Sequence, residues 1–212
     1  MLILSDFDGT ITVRDLTSAV WDRYVPDWRR RLLPASESGE ITAFEMIRRG
    51  YAEVAAPPAE VAEIVRAEAE IRAGFDRLVA QVRARGWLLA VVSNGLSFYI
   101  ADLVPPGVPI FAYDARYDDG RWQVTLPSKG DLGVDPTPPP GGDFKVHVLA
   151  ELRARQPGAP TAYIGDGRLD FEAARRCDRI FAVRGSPLVR LCARAGLACS
   201  EFDSFDDVIA AL

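Results

Sequence analysis

Two aspartates, Asp6 and Asp8, follow an apolar segment near the N-terminus, within residues 2–10 (LILSDFDGT). In extended backbone, residues two apart point to the same side, so both carboxylates can face one ligand while Phe7 turns into the core. Neighbouring carboxylates repel and raise each other's pKa unless a cation lies between them, which indicates Mg²⁺ or another hard metal. Gly9 allows backbone N–H groups to approach an anion closely. An ordinary strand ending in an Asp-Gly turn would have the same local sequence.

Two further strand-like segments also end in polar, glycine-rich residues. One ends in Ser93-Asn94-Gly95, and the other ends in residues 165–170 (GDGRLD). Lys145 lies between them in sequence, at the start of a helical pattern. In open parallel sheets, ligands bind beyond the carboxyl ends of the strands. We therefore expect these segments to line one crevice together with the first two aspartates.

Apolar strand-like runs alternate with helical patterns along the chain, which is typical of an α/β protein with a Rossmann-like parallel sheet and helices on both faces. A run of apolar residues without alternation indicates a strand buried on both sides. The predicted strands are Ile3–Asp6, Trp87–Ser93, Thr161–Gly165 and Arg179–Val183, and the predicted helices between them are Phe75–Arg85, Lys145–Arg155 and Phe171–Arg176.

Two insertions interrupt this alternation. Residues 13–74 have helical patterns and no convincing strand, so they are predicted to form an inserted helical cap on a core of residues 1–12 and 75–212. A smaller insertion carries a β-hairpin signal, Asp118-Asp119-Gly120, and is followed by an extended proline-rich loop. The predicted cap helices are Leu16–Tyr24, Thr42–Val54 and Pro58–Ile71, the hairpin strands are Phe111–Tyr117 and Arg121–Leu126, and the loop is Val134–Gly142.

Composition excludes several functional classes. The chain has 212 residues, of which 49% are hydrophobic and 26% charged, enough for a core domain with an appendage. A net charge of −5 gives no broad basic field for nucleic acid, and the arginine clusters at residues 29–31 and 48–49 are interpreted as solvated helix faces. Asp6 interrupts the first apolar run, so neither a signal peptide nor a membrane span is expected, and the cytoplasm is the expected location. Three cysteines without C-x-x-C spacing and one histidine argue against a disulfide framework and a structural zinc site.

The motifs, taken in order, resemble those of the haloacid dehalogenase (HAD) superfamily of phosphotransferases. They are D-x-D-G-T at Asp6–Thr10, a strand ending in Ser93, Lys145, and G-D-G-x-x-D at Gly165–Asp170. The resemblance covers essentially the whole chain, because the helical insertion after the first motif is similar to the type-one cap of that superfamily. It implies an HAD-type fold and a phosphoric monoester hydrolase acting on a small phosphorylated metabolite, with the oligomeric state left open.

The resemblance also implies the chemistry of the two aspartates and of the metal. Asp6 would attack phosphorus to form an aspartyl-phosphate, and Asp8 would protonate the leaving oxygen and then activate water. An oxygen of Asp6, the backbone carbonyl of Asp8 and Asp166 would hold Mg²⁺. The metal and Lys145 would together counter the charge of the phosphate and the nucleophile.

Three other motif residues have implied binding or positioning roles. Ser93 and the N–H of Asn94 would bind phosphoryl oxygens. Asp170 would orient metal-bound waters or the lysine, and a role as a helix N-cap is equally compatible with its position. Phosphoserine phosphatases have Ser-Gly-Gly where this chain has Ser-Asn-Gly, so Asn94 is expected to adopt a conformation that glycine takes easily.

Within the superfamily, the cap resembles two kinds of phosphatase. Residues 38–45, 69–75 and 91–99 are more similar to the methionine-salvage phosphatase that acts on 2-hydroxy-3-keto-5-methylthiopentenyl-1-phosphate. The predicted function is therefore a Mg²⁺-dependent phosphatase closest to that enzyme, with phosphoserine phosphatase as the alternative. Against the salvage reading, Gly-Gly-Asp-Phe precedes the motif lysine where that enzyme has a cysteine-rich stretch.

Phosphoserine phosphatases differ from this chain at two cap positions. They have a glutamate where this chain has Asp15, and an arginine near Tyr51 that binds the substrate carboxylate. Asp15 is accordingly predicted to position the substrate. Arg48 or Arg49 would replace the missing arginine only in a different helix register, so phosphoserine is expected to be a poor substrate.

Two other classes of protein share part of this pattern. A phosphotransfer receiver domain also combines acidic residues, a serine or threonine and a lysine on a parallel sheet, but its acceptor aspartate lies mid-chain and it needs no cap. A non-catalytic HAD-like binding protein normally lacks part of the catalytic set, and this chain has the whole set.

Overall fold

A single seven-stranded sheet lies at the centre of the computed structural model, which describes residues 1–127 and 131–212. The strand order is β4-β3-β2-β1-β5-β6-β7, with every neighbouring pair parallel except the edge pair β3–β4. The predicted α/β class is thus confirmed. The strands are β1 (Leu2–Ser5), β2 (Leu88–Leu96), β3 (Ile110–Asp118), β4 (Arg121–Thr125), β5 (Thr161–Gly165), β6 (Arg179–Val183) and β7 (Ser200–Phe202).

Ten α-helices accompany the sheet in the described residues. None of them is both long and apolar enough to cross a membrane. The helices are α1 (Leu16–Tyr24), α2 (Trp28–Glu37), α3 (Ala43–Ala52), α4 (Pro58–Glu68), α5 (Phe75–Ala84), α6 (Ser97–Leu103), α7 (Phe144–Arg155), α8 (Phe171–Ala174), α9 (Pro187–Arg194) and α10 (Phe205–Ala211).

Strand β1 occupies the middle of the sheet, between β2 and β5, and all four of its residues are buried. Leu4, for example, pairs with Ala90 on one side and Tyr163 on the other. Burial on both faces explains why the run lacks polar alternation. The carboxyl end of β1, where Asp6 follows, therefore lies at the centre of one sheet edge.

Residues 13–74, called the helical segment below, leave the sheet layer and return to it at one place. Thr12 and Ile71 form an isolated antiparallel bridge. Beside it, the N–H of Val13 donates to Glu70 O (2.8 Å) and the N–H of Arg72 donates to Ile11 O (2.7 Å). Helix α4 consequently ends at Glu68, and the prediction that it reaches residue 71 was wrong because these residues form the return connection.

Helix α2 was not predicted from the sequence, and its local signals are poor. Asp27 precedes it in a left-handed conformation (φ 54°) and makes no side-chain cap bond, and Pro34 lies inside it. Only Trp28 and Leu32 are buried along its length. The helix therefore depends on the packing of one face rather than on local sequence preference.

The predicted hairpin is present, and its first strand also extends the main sheet. Strand β3 pairs in parallel with β2, and β4 then adds an antiparallel edge. Two hairpin side chains reach the loop between α3 and α4: the Tyr117 hydroxyl donates to Ala55 O (2.8 Å), and Trp122 Nε1 donates to Ala56 O (2.9 Å). The sheet edge is thus hydrogen-bonded to the helical segment. The predicted loop at residues 134–142 contains no helix or strand.

Candidate active site

Asp6 lies directly beyond β1 and is 8% exposed. Its Oδ1 accepts the backbone N–H of Phe7 (2.7 Å) and lies 2.9 Å from Lys145 Nζ. Burial, together with the negative charges of Asp170 and Asp166, raises the pKa of Asp6 well above its usual value, although Lys145 opposes the shift. Both hydrogen bonds fall on one oxygen, so within the described residues Oδ2 is the oxygen left for a ligand.

Asp170 is the most heavily hydrogen-bonded carboxylate of the site. Its Oδ1 accepts from Lys145 Nζ (2.7 Å) and the Tyr163 hydroxyl (2.8 Å), while its Oδ2 accepts the N–H groups of Asp166 (3.0 Å) and Gly167 (2.7 Å). A carboxylate has about four acceptor positions, so these four donors occupy it fully. Asp170 precedes α8, yet its side chain forms no cap bond there. Its contacts instead fix the lysine and the turn after β5.

Lys145 and Asp170 form a buried ion pair, with 2% and 0% of their surfaces exposed. Burial by itself lowers the pKa of Lys145, but the two nearby carboxylates outweigh it and the net shift is upward. Burial raises the pKa of Asp170, but the lysine and the other donors outweigh it and the net shift is downward. Lys145 is therefore a cation and Asp170 an anion at neutral pH.

The acidic cluster suits a hard divalent cation. Carboxylate oxygens of Asp6, Asp166 and Asp170 lie within 4.8 Å of one another. Oxygen-only donors are the preferred environment of Mg²⁺. Since Asp170 is saturated by protein donors, Asp6 and Asp166 are the carboxylates that remain to bind a metal. The residues present therefore fit Mg²⁺.

Asp166 is held in place by the loop that follows β1. The Thr10 hydroxyl donates to its Oδ1 (2.9 Å). A side chain at Gly9, which has φ 77°, would place its Cβ 2.7 Å from Asp166 Oδ2, so glycine is required both for conformation and for space. Burial is the main cause that raises the pKa of Asp166 to about 7, followed by the charge of Asp170.

The Asp8 carboxylate is held separately from the cluster. The N–H of Leu16, at the start of α1, donates to its Oδ1 (3.0 Å), and the Tyr99 hydroxyl donates to its Oδ2 (2.9 Å). Burial, with a smaller contribution from Asp15, raises its pKa to about 8. Asp8 thus holds a proton at neutral pH, as a general acid must before it donates one.

The Ser93-Asn94-Gly95 segment lies within an irregular end of β2. Ser93 Oγ accepts the N–H of Gly95 (2.9 Å), so its own hydroxyl proton remains to donate to a ligand. The expectation of a glycine-like conformation for Asn94 was wrong: it lies within the strand, and its φ is not positive. The irregularity is instead a shift in the pairing of β2 with β3 between Val92 and Leu96. Asn94 Nδ2 donates to the Tyr113 hydroxyl (2.6 Å).

A cavity of about 350 Å³ opens over these groups. Its base contains all the predicted catalytic, phosphate-binding and metal-binding side chains, and Asp15 lies in its wall, where it also caps α1 by accepting the N–H of Ser18 (2.7 Å). Asp170 lies beneath the base rather than in the lining. The wall supplied by the helical segment comprises Asp15, Thr17, Ser18, Trp21, Trp28, Leu33, Glu37, Met46 and Ile47.

Arg48 and Arg49 do not provide a carboxylate-binding group. Both are exposed and pair with Glu45, at 2.7 Å and 2.6 Å, and neither lines the cavity. Tyr51, near the position of the arginine in phosphoserine phosphatases, is fully buried. The helix register of α3 therefore does not support Arg48 or Arg49 as a replacement for the carboxylate-binding arginine of phosphoserine phosphatases.

Two groups in the cavity wall were not anticipated from the sequence. Glu37 lies at the end of α2, and Arg168 Nη2 donates to its backbone carbonyl (2.6 Å). Arg168 occupies one of the variable positions of the G-D-G-x-x-D motif, so spacing alone could have placed it near the site. Glu37 belongs to the helix that the sequence did not predict.

The fold and the site together define a hydrolase built on a parallel sheet, with an aspartate pair at the central strand end. The chain belongs to the haloacid dehalogenase-like hydrolase family, whose model matches residues 3–175. The prediction of a phosphoric monoester hydrolase of this superfamily is confirmed at that level.

Curated relatives match almost the whole chain at low identity. Polyol phosphate phosphatase PYP1 of Saccharomyces cerevisiae is 26% identical, over 100% of this chain and 92% of its own length. A 2-hydroxy-3-keto-5-methylthiopentenyl-1-phosphate phosphatase of an Exiguobacterium species is 27% identical, over 98% of this chain and 95% of its own length. Among solved structures, a substrate-bound phosphoserine phosphatase has a TM-score of 0.75 at 18% identity, covering 100% of this chain and 97% of that one. This last similarity concerns the fold.

Proposed function

We propose that the protein is a Mg²⁺-dependent phosphatase that hydrolyses a small phosphomonoester with an uncharged leaving group through an aspartyl-phosphate. The observation that carries the proposal is the position of Asp6, paired with buried Lys145 at 2.9 Å and adjacent to Asp166, at the base of a cavity of about 350 Å³. The division into a core of residues 1–12 and 75–212 and a cap of residues 13–74 is part of the same proposal.

In the first step, an oxygen of Asp6 bonds to phosphorus as the bond to the leaving oxygen breaks. Asp8 gives its proton to that leaving oxygen. In the second step, Asp8 takes a proton from water, the water oxygen bonds to phosphorus, and the aspartyl-phosphate bond breaks. Splitting the hydrolysis in this way replaces one slow displacement by two easier ones.

The other site residues hold the phosphoryl group during both steps. The Lys145 ammonium, the Ser93 hydroxyl and the N–H of Asn94 donate to its oxygens. Asp6, Asp166 and the carbonyl of Asp8 would hold Mg²⁺, which when bound offsets the negative charge shared by the phosphate and the nucleophile.

The cavity wall supports an uncharged leaving group. Asp15 and Glu37 are its acidic groups, and they would repel a carboxylate on the substrate. Arg168, the arginine of the lining, already donates Nη2 to the backbone carbonyl of Glu37. Two of the curated relatives are named for substrates whose organic part carries no carboxylate, a polyol phosphate and an enol phosphate. Within this class we favour the enol phosphate of methionine salvage, because Trp21, Met46 and Ile47 form an apolar wall suited to a methylthio group.

A phosphatase screen tests the proposal. The compounds are p-nitrophenyl phosphate, glycerol phosphate, the methylthiopentenyl enol phosphate and phosphoserine. We expect turnover that is lost in EDTA, restored by Mg²⁺ and not restored by Ca²⁺, because Ca²⁺ favours longer bonds and more ligands. Turnover of any compound at full rate in chelator would contradict the metal-dependent mechanism, and a kcat/KM for phosphoserine well above the others would contradict the substrate class.

A further inference from the structure

Tyr99 is a buried residue of helix α6, 2% exposed, and lies at the end of the stretch of residues 91–99, outside the motifs that carry the catalytic, phosphate-binding and metal-binding residues. Its hydroxyl lies 2.9 Å from Asp8 Oδ2 and 3.0 Å from Thr17 Oγ1. Tyr99 is therefore hydrogen-bonded to both groups, and the three residues form a continuous hydrogen-bonded chain from α1 through α6 to Asp8.

The local sequence makes room for this chain. Gly95 faces both members of the Tyr99–Asp8 hydrogen bond, and a Cβ there would collide with the Tyr99 hydroxyl and lie 2.5 Å from Asp8 Oδ2. Phe7 and Phe98 contact the tyrosine ring, with ring centroids 6.3 and 5.5 Å away. The ring is therefore packed between two other aromatic side chains, one tilted and one perpendicular to it.

Asp8 needs such anchoring because it lies in a turn rather than in a strand or helix. Its Oδ1 is anchored by the N–H of Leu16, and its Oδ2 by Tyr99. Two anchors on different oxygens fix the plane of the carboxyl group. General-acid catalysis depends on this geometry, since a displacement of about 1 Å costs on the order of 100-fold in rate.

We propose that Tyr99, oriented by Thr17, is a positioning residue that holds the Asp8 carboxyl group in line with the leaving oxygen of the substrate. The inference rests on the proposed function, because it assigns a partner to the general acid of that reaction. It predicts that loss of the Tyr99 hydroxyl lowers kcat/KM more for a substrate whose leaving group requires protonation than for one whose leaving group does not.

The test compares two substrates in Tyr99→Phe. The leaving group of an alkyl phosphate such as glycerol phosphate departs as an alkoxide unless its oxygen is protonated. The leaving group of p-nitrophenyl phosphate departs as a stable phenolate. The ratio kcat/KM reports only the steps up to phosphorylation of Asp6. We expect a loss of about 10-fold to 100-fold for glycerol phosphate and less than about 2-fold for p-nitrophenyl phosphate.

Three further variants separate positioning from a structural effect. Thr17→Val should lower kcat/KM for glycerol phosphate more than for p-nitrophenyl phosphate, but by less than Tyr99→Phe does. Thr17→Ser should restore kcat/KM for glycerol phosphate. Tyr117→Phe removes a hydroxyl hydrogen-bonded to Ala55 O at 2.8 Å. This control should leave the ratio of the two kcat/KM values, glycerol phosphate to p-nitrophenyl phosphate, unchanged. In an Asp8→Asn background, Tyr99→Phe should have no additional effect on either substrate, because the group it positions is already disabled.

Equal losses for both substrates in Tyr99→Phe, or a full effect in the Asp8→Asn background, would overturn the inference while leaving the proposed function intact. A wild-type protein that hydrolyses none of the screened phosphomonoesters with Mg²⁺ would overturn the proposed function and this inference together. The two failures are thus distinguishable in one set of assays.

Discussion

The ammonium group of Lys145 lies 2.7 Å from Oδ1 of Asp170, and both side chains are removed from solvent. Lys145→Met would leave Asp170 as a buried, uncompensated charge. Removing one partner of a buried pair costs about 3–5 kcal/mol, so we expect that loss in the free energy of unfolding, measured with urea. Arg77→Ala is the matched control: it breaks the exposed pair with Asp206 and should cost about 0–1 kcal/mol. Similar losses for the two variants would contradict the assigned importance of the buried pair.

Asp6→Asn should abolish turnover without unfolding the chain. The substitution removes the nucleophile, so we expect a fall in kcat of at least about 10⁴-fold, while the amide relieves the repulsion from Asp166 and Asp170. Asp8→Asn should slow both chemical steps. Trapping with beryllium fluoride or reductive labelling should mark Asp6 in the wild-type protein. A phosphoenzyme on Ser93 would reverse the assignment of the nucleophile.

Stabilisation by Mg²⁺ should grow as pH rises. Burial is the main cause that raises the pKa of Asp166 to about 7 and of Asp8 to about 8, and it also raises that of Asp6. Between about pH 4 and pH 8 the metal-free folded state therefore holds more protons than the unfolded chain, and its stability falls as pH increases. Mg²⁺ replaces those protons at Asp6 and Asp166, so the metal-bound protein does not lose this stability as pH increases.

The measurement is the Tm with and without Mg²⁺ at intervals from about pH 5 to pH 8, where each kcal/mol corresponds to about 2–4 °C for a chain of this size. Asp166→Asn is the control, because it removes one of the two carboxylates left to bind the metal and should reduce the Mg²⁺-dependent shift at every pH. A shift that is constant across the range would show that the metal does not compete with these protons.

Arg48→Ala and Arg49→Ala should change kcat/KM by less than about 2-fold for every substrate in the screen. Both side chains pair with Glu45 on the exposed face of α3 and neither lines the cavity, so removing either one leaves the groups around the substrate unchanged. A selective loss of phosphoserine turnover in either variant would contradict this and would identify that arginine as the carboxylate anchor.

Sequence information was sufficient where the structural signal is local. The run preceding Asp6 predicted a strand, the continuous apolar run of Trp87–Ser93 predicted a strand buried on both faces, and the glycine-rich ends of the three strands predicted that Ser93 and Asp166 lie at the same edge. Lys145 was placed by helix periodicity together with the superfamily resemblance. Each of these predictions started from a short motif whose residues are neighbours in the chain, and the rule for parallel strand ends or the superfamily resemblance then brought the motifs together.

The features that the sequence did not predict depend on contacts between residues far apart in the chain. Tyr99 meets Asp8 across 91 positions, and no local pattern distinguishes it from an ordinary core tyrosine. The backbone of Asn94 follows a register shift in the sheet rather than a turn preference. Helix α2 contradicts the local rules through Asp27 and Pro34, and the burial of one face outweighs them.

The hairpin contacts the helical segment through the main-chain oxygens of Ala55 and Ala56, which accept from Tyr117 and Trp122. A carbonyl oxygen is present whatever amino acid occupies the position. Mutations in the helical segment can therefore change the surface that faces the substrate without removing these acceptors. In evolutionary terms, these two attachments would survive changes of side chain at residues 55 and 56, whereas the packing of Tyr51 on Trp122 and of Phe44 on Tyr113 ties the segment to the sheet through particular side chains.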